Sequence, residues 1–156
     1  MEPLTINGRF TMTCPEGWRV MTEKEKQKLN QTTDGDSLTL IHEEGQMIAS
    51  IGWKEVNAFA GFLLNIIRPV TSTEASVNQS MAGYGYRKRD ALTREIGGVK
   101  AEGFRYTYTA GTPMVGESYV IRQGRSLTFF HVYLRDALRE VSLERWNELL
   151  DAVQPL

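Results

Sequence analysis

The side chains best suited to nucleophilic or metal chemistry in this sequence are two histidines and one cysteine. His42, His131 and Cys14 lie far apart along the chain, and no pair of them has the short spacing typical of a metal site. His42 ends a strand-like run and precedes Glu43 and Glu44, which predicts an exposed polar residue. We therefore predict no metal, no cofactor and no catalytic residues, and expect a protein that is not an enzyme.

His131 is the histidine with the stronger claim to a function. It alternates with Leu127, Phe129 and Tyr133, so we expect its side chain on a covered face of a sheet. Hydrogen-bonded packing is the simpler interpretation, and a place in a binding site is the alternative. An enzyme using His131 with Asp136 or a tyrosine is a further hypothesis, which a polar cleft around the imidazole would support.

Aromatic side chains are concentrated on three neighbouring strand-like runs in the second half of the chain. Core packing explains most of them, because sheets under helices favour large flat side chains. Tyrosines need a polar partner when they are buried, and several together can line a pocket or an interface. We therefore expect any binding surface to include the tyrosines of this group, which are Tyr106, Tyr108, Tyr119 and Tyr133.

The densest basic cluster comprises Arg87, Lys88 and Arg89, with Arg94 close behind. A helix is predicted from Glu74 to about residue 89, capped by a serine or threonine at residues 72–73, so the cluster would lie at its carboxyl end. Cations are favoured there by the helix dipole. A solvated helix end is one interpretation of Arg87, Lys88 and Arg89, and a site for an anion or an acidic partner is the other.

The composition restricts the class of protein. A chain of 156 residues is expected to form a single domain, residues 1–156, with a substantial core. The net charge of −1 argues against nucleic-acid binding, and no apolar run is long enough to enter a membrane as a helix.

Because no signal peptide is visible, we expect a cytoplasmic protein, although a trimmed leader would leave the same sequence. The single cysteine, Cys14, allows no internal disulfide and is expected to be a small buried hydrophobe.

The first half of the chain alternates strand and helix signals. A strand is predicted over residues 8–14, and Thr22 with Glu25 forms the capping box of a short surface helix. Residues 37–43 and 47–54 are predicted to pair as a hairpin. Residues 58–67 fit a helix by the spacing of Phe59, Phe62 and Ile66, but alternation leaves a strand open.

The second half predicts an antiparallel meander closed by a helix. Glycines separate strand-like runs at residues 99–109, 117–122 and 126–134. The apolar residues of the first run lie in two phases, which a bulge at Gly103 or a sheet covered on both faces would explain. A final helix beginning near Ser142 carries an apolar stripe that includes Trp146. These elements predict an α+β fold in which helices pack on an antiparallel sheet.

Three segments resemble PsbP/Mog-like domains. Phe10-Thr11-Met12-Thr13-Cys14-Pro15-Glu16-Gly17-Trp18 is similar to the opening strand and turn of that family. Ile96-Gly97-Gly98-Val99-Lys100-Ala101 and Trp146-x-x-Leu149-Leu150-x-x-Val153 resemble its central hairpin and closing helix. The resemblance implies a three-layer α/β/α sandwich around an antiparallel sheet. The family includes a photosystem subunit, a Ran-binding import factor and bacterial envelope lipoproteins, so no catalytic residue is transferred.

A non-enzymatic binding or accessory domain that recognises a protein partner is therefore the predicted function. A homo-oligomer is compatible with the sequence. The alternative is a small-molecule binder of helix-grip type, with an apolar pocket between the sheet and the C-terminal helix.

Overall fold

The computed structural model describes residues 2–28 and 37–156. Its strands are β1 (Leu4–Ile6), β2 (Phe10–Met12), β3 (Trp18–Val20), β4 (Ser37–His42), β5 (Met47–Glu55), β6 (Arg87–Ile96), β7 (Val99–Thr109), β8 (Pro113–Gln123), β9 (Ser126–Arg135) and β10 (Val153–Pro155). Its α-helices are α1 (Glu23–Lys28), α2 (Ala58–Leu63), α3 (Pro69–Ser80) and α4 (Arg139–Asp151). This is an α+β fold, as predicted.

The larger sheet contains seven strands in the order β3-β4-β5-β9-β8-β7-β6. Neighbouring strands are antiparallel throughout, and β7 to β9 form the meander predicted from the glycine turns. Strand β6, which was not predicted, extends the meander at the edge of the sheet. The β6–β7 turn consists of Gly97 and Gly98 with φ of 61° and 78°, which residues with a Cβ rarely adopt. A smaller sheet, β1-β2-β10, joins the two ends of the described chain.

Both faces of the larger sheet are covered over its centre. Helix α4 and the smaller sheet bury Trp146, Leu149 and Leu150 against one face, and α3 packs on β7 and β8 at the other. In β7, Ala101 packs in the first of these cores and Phe104 in the second. Coverage on both faces therefore explains the two apolar phases of this strand. The alternative explanation, a bulge at Gly103, is wrong, because the pairing of this residue with both neighbouring strands is regular.

The helix predicted from Glu74 to about residue 89 is wrong at both ends. Helix α3 begins at Pro69, and Thr73 lies inside it, where its hydroxyl donates to the Pro69 carbonyl at 2.9 Å. The helix ends at Ser80, and the chain enters β6 at Arg87. Most β6 side chains are charged or exposed, as is common on edge strands, so the sequence lacks the apolar alternation that would reveal it.

Two local predictions have opposite outcomes. The Thr22 hydroxyl accepts from the Glu25 amide at 3.2 Å, and the Glu25 carboxylate accepts from the Thr22 amide at 2.9 Å, so the capping box is confirmed. The prediction that His42 is exposed is wrong. Its ring packs edge-on against Trp18, and its Nδ1 accepts from the Gly45 amide at 2.9 Å.

Candidate functional site

The four tyrosines predicted to share a surface are divided between the two faces of the larger sheet. Tyr106, Tyr108 and Tyr133 lie in the core under α3, which we call the tyrosine face. Tyr119 lies on the opposite face, in the core under α4. The structure therefore brings three of the four together.

Tyr106 is the centre of the tyrosine face. Its ring lies 5.2 Å from that of Tyr86 and 5.8 Å from those of Phe104 and Tyr108, measured between centroids. Gly116 lies opposite Tyr106 in the ladder, and a Cβ there would overlap the ring. Burial first, and then the neighbouring tyrosines, raise the pKa of the Tyr106 hydroxyl far above its usual value. Burial also raises the pKa of Tyr108 to about 12. These phenols are neutral hydrogen-bonding groups at neutral pH.

His131 lies on the same face and is held by a short hydrogen bond. Its Nδ1 is 2.7 Å from the Ser118 hydroxyl on the neighbouring strand, and its ring stacks on Phe129 at 6.1 Å. Burial lowers the pKa of His131 to about 4, so the ring is neutral at neutral pH. Ser118 is completely buried and out of reach of a substrate. Asp136 belongs to a turn at the far end of β9, where its carboxylate pairs with Arg139 at 2.9 Å. His131 and Ser118 therefore form a buried polar contact, and the Ser118 hydroxyl is not accessible as a nucleophile.

The basic cluster lies on the edge strand β6. Pairing with β7 shifts between Lys88 and Asp90, so Arg89 is the extra residue of a bulge. Lys88 points to the α3 side, where its amine is 2.7 Å from the Glu74 carboxylate. Arg89 donates from Nε to the Thr107 hydroxyl at 2.9 Å. The solvated helix end predicted for these residues is therefore replaced by an edge strand with a bulge.

A surface not predicted from the sequence lies at α2 and the turn that follows it. Five large apolar side chains point to solvent, with exposed fractions of 71% for Phe59, 60% for Phe62, 40% for Leu63, 67% for Ile66 and 48% for Ile67. We call these five residues the outward stripe. Residues 58–63 are helical, which resolves the ambiguity of this segment.

The periodicity locates this stripe but does not show which way it faces. The inner side of α2 is made of small residues, and its buried residue, Gly61, packs on the side chain of Arg125. Small residues on one side of a helix and large ones on the other were the available signal. A helix that presents its small side to the protein leaves its large side chains free for a partner.

An apolar cavity of about 310 Å³ adjoins the outward stripe. Leu63 and Ile67 of the stripe form one wall, and Leu127 and Phe129 of β9 form another. Lys54 lies at its edge with its amine 5.7 Å from the centre of the Phe129 ring. Apolar walls and a cationic edge are suited to an amphipathic ligand that carries negative charge.

None of the known family models matches the sequence, and no curated protein is similar to it in sequence. Solved structures share its fold. Cyanobacterial PsbP (CyanoP) from Synechocystis sp. PCC 6803 is 10% identical with a TM-score of 0.64, covering 99% of this chain and 92% of that one. The Ran-binding protein Mog1p of Saccharomyces cerevisiae is 9% identical with a TM-score of 0.61, covering 98% and 94%.

A crystal structure from Bacteroides thetaiotaomicron VPI-5482 is 13% identical with a TM-score of 0.59. It is matched over 97% of this chain but only 47% of its own length, so the present chain spans about half of that protein. The chain has the PsbP/Mog-like fold, as the three resembling segments predicted.

Two further observations concern the described residues alone. Within residues 2–28 and 37–156, no helix is long and apolar enough to cross a membrane. The same residues contain no group of three or more histidine, cysteine, aspartate or glutamate side chains placed to hold a metal ion.

Proposed function

We propose that this chain is a non-enzymatic binding domain that recognises a protein segment carrying apolar side chains flanked by carboxylates. The outward stripe is the observation that carries the proposal. Five neighbouring large apolar side chains in water are unfavourable for an isolated protein, and such contiguous patches are typical of interaction sites. The Ran-binding function of Mog1p, which shares the fold, supports the same class of function by analogy.

The charges around the outward stripe support an acidic partner. Lys54 lines the apolar cavity, and Arg122 and Arg125 lie beside α2. None of the three forms an ion pair with a carboxylate in the described part of the chain. Arg122 donates to the Gly61 carbonyl at 3.2 Å, and Arg125 donates to the Val56 carbonyl at 2.8 Å. These contacts hold two guanidinium groups beside the helix with their charges uncompensated. Carboxylates next to the apolar contacts of a partner would complement them.

The helix-grip alternative predicted a cavity under the C-terminal helix. Trp146, Leu149 and Leu150 are at most 1% exposed and fill the space between α4 and the sheet. The larger cavities found among the described residues have other linings. The tight contact under α4 therefore favours a surface-binding role over an enclosed pocket.

The proposal is tested with synthetic peptides of defined chemistry. One peptide is an amphipathic helix with leucine and phenylalanine on one face and glutamate on its flanks, and a second replaces each glutamate with lysine. We expect saturable binding of the acidic peptide, measured by fluorescence anisotropy, and binding of the basic peptide that is weaker by about tenfold or more at low salt. Equal binding of the two peptides would show that the cations have no part in recognition.

Variants identify the surface. Phe62→Ser removes a central side chain of the outward stripe, and Val141→Ser is its matched control, because Val141 is 57% exposed on α4 at the other face. We expect Phe62→Ser to weaken binding of the acidic peptide by about tenfold and Val141→Ser to leave it unchanged. A protein that binds neither peptide, or loses binding equally in both variants, would refute the proposal.

A further inference from the structure

A second concave site lies at one corner of the larger sheet, away from the outward stripe. A groove of about 560 Å³ is bounded by the starts of β6 and β8, the end of β7 and the turn before α4. Four arginines line it, and we call it the arginine groove: Arg87, Arg89, Arg105 and Arg139. Its volume is in the range typical of small-molecule sites.

The β6 bulge assembles this groove. In a regular strand, Arg87 and Arg89 would face one way and Lys88 and Asp90 the other. The register shift after Lys88 places Asp90 opposite Arg105, while Arg89 still reaches Thr107. Both arginines and Asp90 therefore line the groove, and Lys88 remains on the other face with Glu74. Bulges commonly redirect side chains at binding sites in this way.

The arginines differ in how far their charges are compensated. Arg105 is paired with Glu117 at 2.7 Å and with Asp90 at 3.7 Å, and Arg139 is paired with Asp136 at 2.9 Å. The guanidinium group of Arg87 has no hydrogen bond or ion pair within the described residues, and that of Arg89 bonds there only to the Thr107 hydroxyl. Two guanidinium groups therefore face the groove without a carboxylate.

The charge of the lining indicates the class of ligand. Its four arginines outnumber the carboxylates of Asp90, Asp136 and, behind Arg105, Glu117, so that one positive charge remains in surplus. A phosphate monoester carries about −1.5 to −2 at neutral pH and presents three acceptor oxygens. Guanidinium groups bind such oxygens in a bidentate manner, which Arg87 and Arg89 are free to do. Arg139 has a further unsatisfied donor, its buried Nε, within the described structure.

The rest of the lining can accept an organic group. Tyr108, Pro113 and Met114 supply apolar surface, and Thr107 and Thr109 supply hydroxyls. We propose that the arginine groove binds a small organic phosphomonoester, with Arg87 and Arg89 holding the phosphate and the apolar lining contacting the organic part. The site is separate from the outward stripe, so it stands whether or not the proposed protein-binding function is correct.

Titrations with three small probes test the ligand class. Inorganic phosphate, phenyl phosphate and benzoate are added to the ¹⁵N-labelled full chain at constant ionic strength and about pH 7.5, where a phosphate with a second pKa of about 6 is mostly a dianion. We expect saturable amide shifts at Arg87, Arg89 and Thr107, with phenyl phosphate binding more tightly than either of the other two. Benzoate binding as tightly as phenyl phosphate would overturn the assignment to phosphate, and phenyl phosphate binding no more tightly than inorganic phosphate would overturn the assignment to an organic ligand.

Neighbouring residues on β6 provide the matched variants. Arg87→Gln and Lys88→Gln each remove one positive charge from the same exposed strand, but only Arg87 lines the groove. We expect Arg87→Gln to weaken phenyl phosphate binding by about tenfold or more, since charged hydrogen bonds contribute at this level, and Lys88→Gln to change it by less than about twofold. Equal losses would show attraction by overall charge and overturn the proposal, as would the absence of saturable shifts. Thermal unfolding of both variants checks that the fold is retained.

Discussion

The indole N–H of Trp146 donates to Oε1 of Glu117 at 3.1 Å, and both residues are buried, at 0% and 2% exposure. The other carboxylate oxygen of Glu117 accepts from Nε of Arg105 at 2.7 Å. One buried carboxylate therefore joins helix α4 to the centre of the sheet and to an arginine of the arginine groove. A buried carboxylate is tolerated because both of its oxygens have donors.

Removing this carboxylate should destabilise the protein. Glu117→Ala leaves the Trp146 N–H without an acceptor and Arg105 without its closer partner, and we expect the free energy of unfolding to fall by about 2–4 kcal/mol. Urea unfolding followed by tryptophan fluorescence measures the change. Glu95→Ala on β6 is the control, since Glu95 is exposed. A loss no larger than that of the control would show that the contact does not stabilise the fold.

Glycines at the turns and the alternation of apolar residues were sufficient to predict the interior strands of the larger sheet but not its edge strand β6. Strand β7 was predicted with its observed bounds, Val99–Thr109, because apolar residues and the Gly97-Gly98 turn mark it directly. Strand β6 was missed because its outer position leaves its side chains in water, where charged residues are favoured. The pattern of apolar residues along a sequence indicates which side chains are buried, and few side chains of the edge strand β6 are buried.

The candidate sites depend on contacts between distant parts of the chain. The helical spacing of Phe59, Phe62 and Ile66 was visible in the sequence, but the direction that this face takes depends on what packs against Gly61. Likewise, the arginine groove requires a bulge in β6 and the approach of α4, which place Arg87 and Arg139 in the lining of one groove. Neither the packing of α2 nor the bulge in β6 has a local pattern in the sequence, so the way these residues are grouped could not be predicted from it.

Acid should destabilise the protein through His131. Because the folded-state pKa of this histidine is lowered from 6.5 to about 4, the unfolded chain takes up a proton first as the pH falls. The contribution of neutral His131 to the free energy of unfolding is complete above about pH 6.5. It is progressively lost down to about pH 4, by up to about 3 kcal/mol. Urea midpoints at intervals between these values should fall more for the natural protein than for His131→Gln. Parallel pH profiles for the two proteins would contradict this origin.

Alkali should act through the tyrosine face. Burial raises the folded-state pKa of Tyr106, Tyr108 and Tyr133, so each stays protonated in the folded chain after it would ionise in the unfolded one. The contribution of these neutral phenols to the free energy of unfolding is therefore complete below about pH 10 and is lost as the pH rises above it. Absorbance at the phenolate wavelength should show ionisation of fewer than the six tyrosines until the circular-dichroism signal is lost. Ionisation of all six before unfolding would disprove their burial.

The close approach of Gly116 to Tyr106 predicts a large effect from one methyl group. Gly116→Ala places a Cβ against the phenol ring, and we expect destabilisation of about 2–3 kcal/mol from overpacking. Gly83→Ala is the control, because a Cβ at Gly83 meets no atom within 4 Å. Combining Gly116→Ala with Tyr106→Leu should recover part of the loss relative to the sum of the single changes. Strict additivity in that cycle would show that the ring is not what resists the methyl group.

The outward stripe should contribute little to the folded state. Phe59→Ser and Phe62→Ser replace side chains that are 71% and 60% exposed, so we expect each to change the free energy of unfolding by no more than about 0.5 kcal/mol. Phe104→Ala, in the core under α3, should cost about 3–5 kcal/mol in the same urea assay. A loss from Phe62→Ser comparable to that from Phe104→Ala would mean that the stripe is packed against the protein in solution. Retained stability together with lost peptide binding would assign these side chains to recognition, because a residue that does not hold the fold together has no packing reason to be large and apolar.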